Sequence, residues 1–289
     1  MKRRLLAIHA HPDDESSKGA ATMARYSAEG HRVKVITCTG GERGDILNPA
    51  MDTVENEHNI AAIRRQEMEK AAAALGVEHM WLGYVDSGLP EGQPLPELPS
   101  GCFALADTAE IVEKLVREIR LFRPHVIITY DENGGYPHPD HLKVHEVSLL
   151  AWEKAGDPHY LPECEPWTPL KLYYTHGFIR ERIELLHTSL VNDGAQSPFA
   201  EILAQWPQDG ADIMARVTTR VAAAAFFDKR DAALLAHATQ IDPEGMFLAV
   251  PTDKQRLLWP TEEFELARTR VPVTMPENDL FHGLVDTTE

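Results

Sequence analysis

The sequence predicts an α/β fold: a Rossmann-like, mostly parallel sheet with helices on both faces and a helical C-terminal subdomain. The first observation is that strand-like and helix-like segments alternate along the first half of the chain, as in successive βαβ units. The second is that two His-Pro-Asp motifs each follow a short apolar run. We therefore divide the chain into a core that carries both motifs, residues 1–176, and a mainly helical part that closes the pocket, residues 177–289.

The predicted strands are short apolar runs in the core of the chain. We expect the first and fourth strands to be neighbours, because a Rossmann-like sheet reverses its winding between them. The loops that leave these two strands would then meet at one edge of the sheet. The runs are Leu5–Ile8, Val33–Thr37, Met80–Tyr84, His125–Tyr130 and Leu170–Tyr174.

Helices are predicted between these strands from apolar spacing and from the glycines that end them. The segment Pro90–Ser100 is rich in Pro, Gly and Glu and is typical of an irregular surface loop. The tail from Pro251 shows no clear period. The predicted helical segments are Ser16–Glu29, Asn59–Leu75, Leu105–Ile119, Leu142–Ala155, Ala222–Ala225 and Ala232–Ala238.

The composition excludes several kinds of partner. Asp and Glu number 45 against 28 for Lys and Arg, and the formal net charge of −17 repels phosphate backbones and anionic membrane surfaces. No segment approaches the length of a membrane span. Three cysteines without a metal-binding spacing argue against a disulfide framework and favour a reducing compartment. We expect a cytoplasmic protein that acts on a small molecule, with no nucleic acid and no membrane as partner.

Two short motifs carry the candidate chemistry. Two imidazoles and one carboxylate, gathered at strand ends, form a three-ligand site that leaves a coordination position for water, which is typical of catalytic zinc. Ferrous iron or cobalt would accept the same ligands. The proline of the first motif fixes the local backbone and holds its neighbours in a bent geometry. The motifs are His11-Pro12-Asp13-Asp14 and His138-Pro139-Asp140-His141.

We choose His11, Asp14 and His141 as the ligands of one Zn²⁺ per chain. This choice leaves Asp13 and His138 free beside the metal. An alternative interpretation of either motif alone is a helix cap, because Asp is a good N-cap residue. Two such motifs in one chain favour a multi-residue metal site.

Two further residues near the second motif have indirect roles. Asp140 would orient an imidazole by accepting a hydrogen bond from its second N–H group. His145 lies one helical turn after His141 and is the competing ligand, because residues i and i+4 share a helix face. For His145 we favour an outer position or the helix surface.

The longer strings around both motifs resemble those of a known family. Ala10–Glu15, together with Gly134–His141, resembles the LmbE-like or PIG-L-type zinc-dependent N-deacetylases. His11–Ala20, together with Gly40–Pro49, is similar to the actinobacterial mycothiol S-conjugate amidase branch of that family. The resemblance covers nearly the whole chain. It implies a substrate in which an N-acyl group is attached to a glucosamine.

The resemblance implies the same three zinc ligands and a role for each neighbour. Asp13 would be the general base. His138 would stabilise the tetrahedral intermediate, and Tyr136 would be a mobile hydroxyl donor nearby. The proton of the leaving amine would come from either Asp13 or His138.

Four residues are candidates for substrate binding. Sugar and inositol hydroxyls need charged and bidentate polar partners, and the resemblance points to Arg64, Asp86 and Asp45. Lys18 marks the amidase branch and would donate to a carbonyl of the conjugate. Each of the four also has an ordinary alternative as a helix-surface, turn or loop residue.

Gly40–Gly44 is only weakly similar to a phosphate loop, because it lacks the Lys and Ser/Thr of that motif. His237 and Gln240 lie in a C-terminal stretch that resembles a family segment. For both residues we favour packing or a helix-surface position.

These features lead us to expect a zinc-dependent amidase. It would cleave the amide bond between glucosaminyl-inositol and the N-acetylcysteine S-conjugate of mycothiol thioethers, for detoxification or in a natural-product pathway that uses mycothiol. The alternatives are the N-acetylglucosaminyl-inositol deacetylase of mycothiol biosynthesis, which would share every metal residue, and a non-catalytic sugar-binding module. A binding module needs no carboxylate beside the metal, so Asp13 favours an enzyme.

Overall fold

The computed structural model describes residues 2–207 and 212–284, and this part of the chain contains one seven-stranded sheet. The strands are β1 (Arg4–His9), β2 (Arg32–Thr39), β3 (Glu78–Tyr84), β4 (Val126–Thr129), β5 (Lys171–His176), β6 (Thr219–Ala222) and β7 (Thr261–Thr269). Their order across the sheet is β3-β2-β1-β4-β5-β7-β6. Strands β1 to β5 are parallel, and β7 runs antiparallel to both β5 and β6.

The helices connect these strands and follow them in the C-terminal half. In the described residues, none of them is long and apolar enough to cross a membrane. They are α1 (Asp14–Ser17), α2 (Ala20–Ala28), α3 (Val54–Leu75), α4 (Thr108–Phe122), α5 (Pro139–Ala155), α6 (Arg180–Asn192), α7 (Phe199–Ala204), α8 (Ile213–Arg216), α9 (Phe227–Ala236) and α10 (Thr252–Leu258).

Strands β1 and β4 are neighbours, as predicted, with Leu5 opposite Val126 and Ala7 opposite Ile128. Because the two strands are parallel, their carboxyl ends lie at the same edge of the sheet. The loop after β1 leads into α1, and the segment after β4 leads into α5. The topology therefore brings both His-Pro-Asp motifs to one edge.

The core lies on both faces of the sheet. Side chains alternate along β1, so Leu6 and Ile8 face one layer while Leu5 and Ala7 face the other. The first layer contains the apolar faces of α4 and α5, and the second contains those of α2 and α3. The predicted α/β class, with a mostly parallel sheet covered by helices on both faces, is confirmed.

Strands β6 and β7 do not follow from the sequence pattern, and β7 lies in the tail where no period is visible. Its one fully buried apolar side chain, Phe264, stands between glutamates, so the usual alternation is hidden. The structure gives these carboxylates partners: Glu265 Oε2 lies 3.0 Å from His176 Nε2. The sheet thus continues into the C-terminal half, and the proposed division between residues 176 and 177 stays a prediction.

The predicted helix Ser16–Glu29 is in fact two helices, which separate at Gly19. Gly19 adopts a φ of 87°, in the left-handed region that favours glycine. The backbone N–H groups at the start of α2 donate to the carboxylate of Glu262 on β7, at 3.1 Å from Ala21 N and 2.7 Å from Thr22 N. A distant carboxylate therefore caps a new helix where local periodicity predicts continuation.

Candidate active site

Three side chains from the two loops converge at the carboxyl edge of β1 and β4. His11 Nδ1 lies 3.2 Å from His141 Nε2 and 3.6 Å from Asp14 Oδ2. Asp14 Oδ2 lies 3.4 Å from His141 Nε2. All three side chains are buried. The structure thus brings together the three residues that the sequence suggests as metal ligands.

The triangle of these three atoms fits a tetrahedral metal site. Zinc bonds of about 2.0–2.2 Å imply edges of about 3.3–3.6 Å between neighbouring ligand atoms. The observed distances of 3.2, 3.4 and 3.6 Å lie in or next to that range. Two imidazole nitrogens and one carboxylate oxygen are also a donor set that zinc accepts. Chemistry and spacing therefore both fit the ion.

Partners hold the proposed ligands in position. His141 Nδ1 lies 2.8 Å from Gly134 O, so Nδ1 carries the proton and Nε2 presents its lone pair to the cluster. The Tyr130 hydroxyl donates to Asp14 Oδ2 at 2.5 Å, and the Tyr130 ring stacks on His141 with centroids 4.3 Å apart. These contacts fix the two side chains before any metal binds.

Lys18 lies against the cluster rather than in the cavity that holds the other predicted substrate residues. Its Nζ donates to Asp14 Oδ1 at 2.5 Å and to Ser17 Oγ at 3.3 Å. Although burial opposes ionisation, this ammonium group and the imidazole of His141 hold the pKa of Asp14 well below its usual range. Lys18 therefore keeps a candidate ligand in the charged form that metals bind. Its contact with a substrate carbonyl stays a prediction.

The second nitrogen of His11 faces two carboxylates. His11 Nε2 lies 3.2 Å from Asp140 Oδ2 and 3.3 Å from Asp86 Oδ1. This is the contact that an orienting role for Asp140 requires. Despite its burial, the pKa of Asp86 is held below its usual range by His11 and by the N–H of Gly88. Asp86, expected at the substrate, is thus also a neighbour of the metal cluster.

A second group of side chains could also hold a metal, namely His11 with Asp86, His138 and Asp140. Backbone N–H groups already occupy one atom of each of the other three. Ser87 N donates to Asp140 Oδ2 at 2.9 Å, and Gly88 N donates to Asp86 Oδ1 at 2.8 Å. His138 Nδ1 accepts from a backbone N–H at 3.1 Å. In the first group, Asp14 Oδ2 likewise accepts from His11 N at 3.0 Å and from Tyr130. The first group is the better candidate because the distances between its three facing atoms match a tetrahedral site.

Asp13 sits in a strained backbone conformation beside the cluster. Its φ of 128° is rarely adopted by a residue with a side chain, and strain of this kind costs about 1–3 kcal/mol. Glu15 Oε2 accepts from Asp13 N at 3.1 Å and helps to hold that conformation. Burial and the neighbouring carboxylate of Asp14 raise the pKa of Asp13 to about 6. A carboxylate with these properties is suited to proton transfer near neutral pH.

His138 forms the N-cap of α5. Its Nδ1 accepts from Asp140 N at 3.1 Å, so the proton of the neutral ring lies on Nε2. Burial and the imidazoles of His11 and His141 lower the pKa of His138 to about 3. The side chain is thus a neutral N–H donor. Tyr136, which is 39% exposed, lies beside it with ring centroids 6.0 Å apart.

A polar cavity of about 550 Å³ opens beside Asp13, His138 and Tyr136. Its size is within the usual range for small-molecule sites, which is about 300–1,000 Å³. Three of the predicted substrate residues line it. Its other polar side chains include Arg43, Asp45, Arg64, Asp86 and Gln240.

The glycine-rich segment Gly40–Gly44 makes room for Arg64. A side chain at Gly41 would collide with the Arg64 guanidinium, and Gly41 adopts a φ of 66°. Arg64 is buried, and its Nη2 donates to Asp45 O at 3.4 Å. The close approach of the Arg64 side chain therefore explains this glycine-rich segment. No phosphate is needed to explain it.

The C-terminal half reaches the site just after α9, at His237 and Gln240, for which the sequence favours packing. His237 Nε2 lies 2.7 Å from Glu15 Oε1, and both side chains are fully buried. Although burial opposes it, the ion pair with His237 lowers the pKa of Glu15 to about 2. Gln240 Nε2 donates to Asp45 O at 2.9 Å. His145, the competing ligand, instead contacts Tyr130 O at 3.1 Å and belongs to neither metal group among the described residues.

The buried cluster of His and Asp, with a polar cavity beside it, is an arrangement suited to metal-assisted hydrolysis. The family model of PIG-L, described as GlcNAc-PI de-N-acetylase, matches residues 6–152 of this chain. The match includes both His-Pro-Asp motifs. The chain belongs to the PIG-L family.

Curated relatives are similar over the full length of the chain. A mycothiol S-conjugate amidase from Streptomyces coelicolor is 55% identical over 287 residues, which are 98% of each protein. A 1D-myo-inositol 2-acetamido-2-deoxy-α-D-glucopyranoside deacetylase from Geodermatophilus obscurus is 40% identical over 299 residues, again 98% of each.

Solved structures share the fold at low sequence identity. An N,N′-diacetylchitobiose deacetylase from Pyrococcus horikoshii is 19% identical with a TM-score of 0.60, covering 99% of this chain and 88% of that one. A 4-carboxy-2-hydroxymuconate hydratase from Pseudomonas putida is 17% identical with a TM-score of 0.61, covering 94% and 99%. One fold thus carries different reactions, so the chemistry must be argued from the site.

Proposed function

We propose that the protein is a zinc-dependent amidase that cleaves the amide bond between glucosaminyl-inositol and the N-acetylcysteine S-conjugate of mycothiol thioethers. The reaction would serve detoxification or mycothiol-linked natural-product biosynthesis. The observation that carries the proposal is the cluster of His11, Asp14 and His141 beside the carboxylate of Asp13, open to a polar cavity. The 55% identity with a mycothiol S-conjugate amidase supports the choice of substrate.

One Zn²⁺ per chain would be held by His11 Nδ1, Asp14 Oδ2 and His141 Nε2. When bound, zinc supplies a Lewis acid that lowers the pKa of water and polarises an amide carbonyl. The residues around it prepare the ligands: Lys18 keeps Asp14 ionised, and Asp140 orients His11 through its second nitrogen.

Asp13 is the proposed general base. Its side chain lines the cavity next to the ligand loop, and its backbone is held by Glu15. In this position a carboxylate oxygen takes the proton of the attacking water as the carbon–oxygen bond forms. The protonated carboxyl group then faces the same cavity as the leaving nitrogen and can return the proton when the carbon–nitrogen bond breaks.

His138 is the proposed donor to the developing oxyanion. Because its Nδ1 accepts a backbone hydrogen bond, its Nε2–H group is the one available to the cavity. A neutral donor that is already fixed in place stabilises negative charge without reorganisation. The hydroxyl of Tyr136 lies on the same wall and would add a second donor.

The glucosaminyl-inositol half of the substrate would occupy the polar cavity. Arg64, Asp45 and Asp86 line this cavity, and Gln240 reaches it from the C-terminal half. Charged side chains and a fixed amide are the partners that adjacent hydroxyl groups need.

The deacetylase remains the second candidate, because a relative of that name is 40% identical over 98% of the chain. The deciding experiment offers the zinc-loaded protein a mycothiol S-conjugate and N-acetylglucosaminyl-inositol side by side. We expect kcat/KM to be higher for the conjugate. A preference for the acetylated sugar would assign the protein to the deacetylase, and no turnover of either would leave a binding module.

A further inference from the structure

A second cavity lies on the other side of Tyr136 from the polar one. It has a volume of about 680 Å³, and its wall is mostly apolar. Tyr136 lines both cavities, so the two meet at that ring. We call this second cavity the apolar groove; its apolar side chains include Tyr136, Leu142, Phe178, Trp206 and Ile213.

The apolar groove comes within one side chain of the candidate metal cluster. Lys18 and Tyr130 line it, and both contact Asp14 at 2.5 Å. The ring of Tyr136 lies 4.7 Å from that of His141. The scissile amide of a substrate bound at the cluster would therefore lie next to both cavities, with the Tyr136 ring between them.

The charged groups around the apolar groove are already paired. Its lysine, Lys18, is bonded to Asp14, and its two acidic residues, Asp131 and Glu132, are both bonded to Arg216. A charged ligand would lose hydration there without gaining an unpaired partner from these groups, whereas apolar surface would be buried favourably. The groove therefore favours an uncharged, apolar ligand.

We propose that the apolar groove binds the S-linked substituent of the conjugate and selects uncharged, aromatic or aliphatic groups. The proposal rests on the amidase function given above. The amine half of the substrate is a polyol and matches the polar cavity, so the acyl half leaves the cluster past Tyr136 into the groove. An acetyl group would end at the cluster and leave the groove empty, which makes the groove specific to the amidase reaction.

Phe178 is the side chain to test, because it is 37% exposed and lies just outside α6. The zinc-loaded protein and its Phe178→Ala variant are assayed with mycothiol S-conjugates that carry benzyl, methyl or carboxymethyl groups. In the unaltered protein we expect kcat/KM to fall in that order. In Phe178→Ala the benzyl-to-methyl ratio of kcat/KM should fall about 10-fold, the scale of one lost apolar contact.

The matched control is Leu257→Ala, which removes an apolar side chain that is 85% exposed and lies on α10, away from the groove. It should leave the benzyl-to-methyl ratio as it is. A second measurement is inhibition by the acyl product, S-benzyl-N-acetylcysteine, which Phe178→Ala should weaken about as much as it lowers the ratio. Circular dichroism melts of each variant show that the fold is intact.

Four outcomes would overturn the proposal. Equal loss on benzyl and methyl conjugates would remove Phe178 from substituent recognition, and a preference for the carboxymethyl conjugate would contradict an apolar site. If the unaltered protein cleaves no conjugate but deacetylates N-acetylglucosaminyl-inositol, the amidase function fails and the groove proposal fails with it. If all conjugates are cleaved and the benzyl-to-methyl ratio of kcat/KM is unchanged in Phe178→Ala, the groove proposal is wrong while the amidase function stands.

Discussion

The two His-Pro-Asp loops are alike in sequence, yet they are held in place by different means. The second loop is built mainly from nearby residues: His138 caps α5 through its own ring, and Pro139 occupies the first turn of the helix, although Ser87 N also donates to Asp140. The first loop depends more on distant residues. Asp14 is fixed by Tyr130, just after β4, and Glu15, which accepts from the strained Asp13, is itself paired with His237.

This difference separates two kinds of information in the sequence. The geometry of a loop built from nearby residues can be predicted from a few neighbouring residues, because an N-cap residue followed by proline is enough to start a helix. A loop that is held from a distance reveals which residues are present but not what positions them. Substitutions of distant residues should therefore disturb the first loop, whereas the second should respond mainly to substitutions within the loop itself.

The largest effect is expected from loss of a proposed metal ligand. His141→Ala should abolish zinc binding, because two remaining ligands hold zinc poorly, and kcat should fall by more than about 10⁴-fold. Zinc per chain is measured by atomic absorption after dialysis. His145→Ala, one turn further along α5, is the matched control and should retain zinc. Full zinc content in His141→Ala would mean that the second group, with Asp86 and Asp140, is the real site.

Asp13→Asn tests the catalytic part of the first loop. We expect kcat to fall by about 10²–10⁴-fold while zinc content stays near one per chain, because the amide cannot accept the proton of water. Asn also tolerates positive φ better than most residues, so the backbone should survive. Zinc content and kcat are measured on the same preparation. Activity near that of the unaltered protein would remove the general-base role.

His138 provides the sharpest contrast between chemistry and local structure. His138→Ala should lower kcat by about 10²–10³-fold, the scale of one lost oxyanion donor, and should also cost about 1 kcal/mol of stability through the lost N-cap. His138→Asn should restore the cap and the melting temperature without restoring kcat. Recovery of kcat in the Asn variant, or loss of zinc in either, would show that the ring has another role.

Much of the fold could be predicted, because buried parallel strands are written as continuous apolar runs and β1 and β4 follow that rule. The neighbouring position of the two strands then brought the motifs together. Strand β7 could not be predicted, since the partners of Glu262 and Glu265 lie far away in the chain. The break at Gly19 has the same origin, because its cap is supplied by β7.

The candidate site divides in the same way. His11, Asp14 and His141 could be suggested from residue type alone, since few other arrangements explain paired His-Pro-Asp motifs. The partner of Glu15 could not, because His237 is 222 positions further along and nothing local marks a buried ion pair. Lys18 shows the remaining limit: its place one turn past the motif was visible, but the sequence pointed it at the substrate, whereas in the structure it is bonded to Asp14.

The Glu15–His237 pair tests how far the first loop depends on the C-terminal half. His237→Phe should lower the free energy of unfolding by about 3–5 kcal/mol, because it leaves a buried carboxylate unpaired. Urea denaturation measures the loss. His187→Phe is the control: His187 is half-buried and hydrogen-bonded to the neutral Ser197 Oγ, so the cost should be small. Equal costs for the two substitutions would mean that the long-range pair contributes nothing special.

The smallest effect concerns the opposite, amino-terminal edge of the same two strands. His125 Nδ1 accepts from Arg4 N at 3.1 Å and so joins the starts of β1 and β4. Burial, with the positive charges of Arg4 and Arg3, lowers the pKa of His125 to about 4. Because the folded state binds fewer protons than the unfolded one, this contribution is present above about pH 6.5 and is lost as the pH falls towards 4.

His125→Asn isolates this titration, because the amide oxygen can accept from Arg4 N without taking up a proton. From pH 7 to pH 5 the unaltered protein should lose about 1–2 kcal/mol more stability than the variant. Urea midpoints at several pH values give the comparison, and His159→Asn, at an exposed histidine, is the control. Other buried histidines, such as His79 with its pKa of about 4, will leave some acid sensitivity in every variant. Parallel curves for His125→Asn and the unaltered protein would show that protonation of His125 does not change the stability of the β1–β4 pair. The imidazoles that matter for these two strands would then be those at their carboxyl edge.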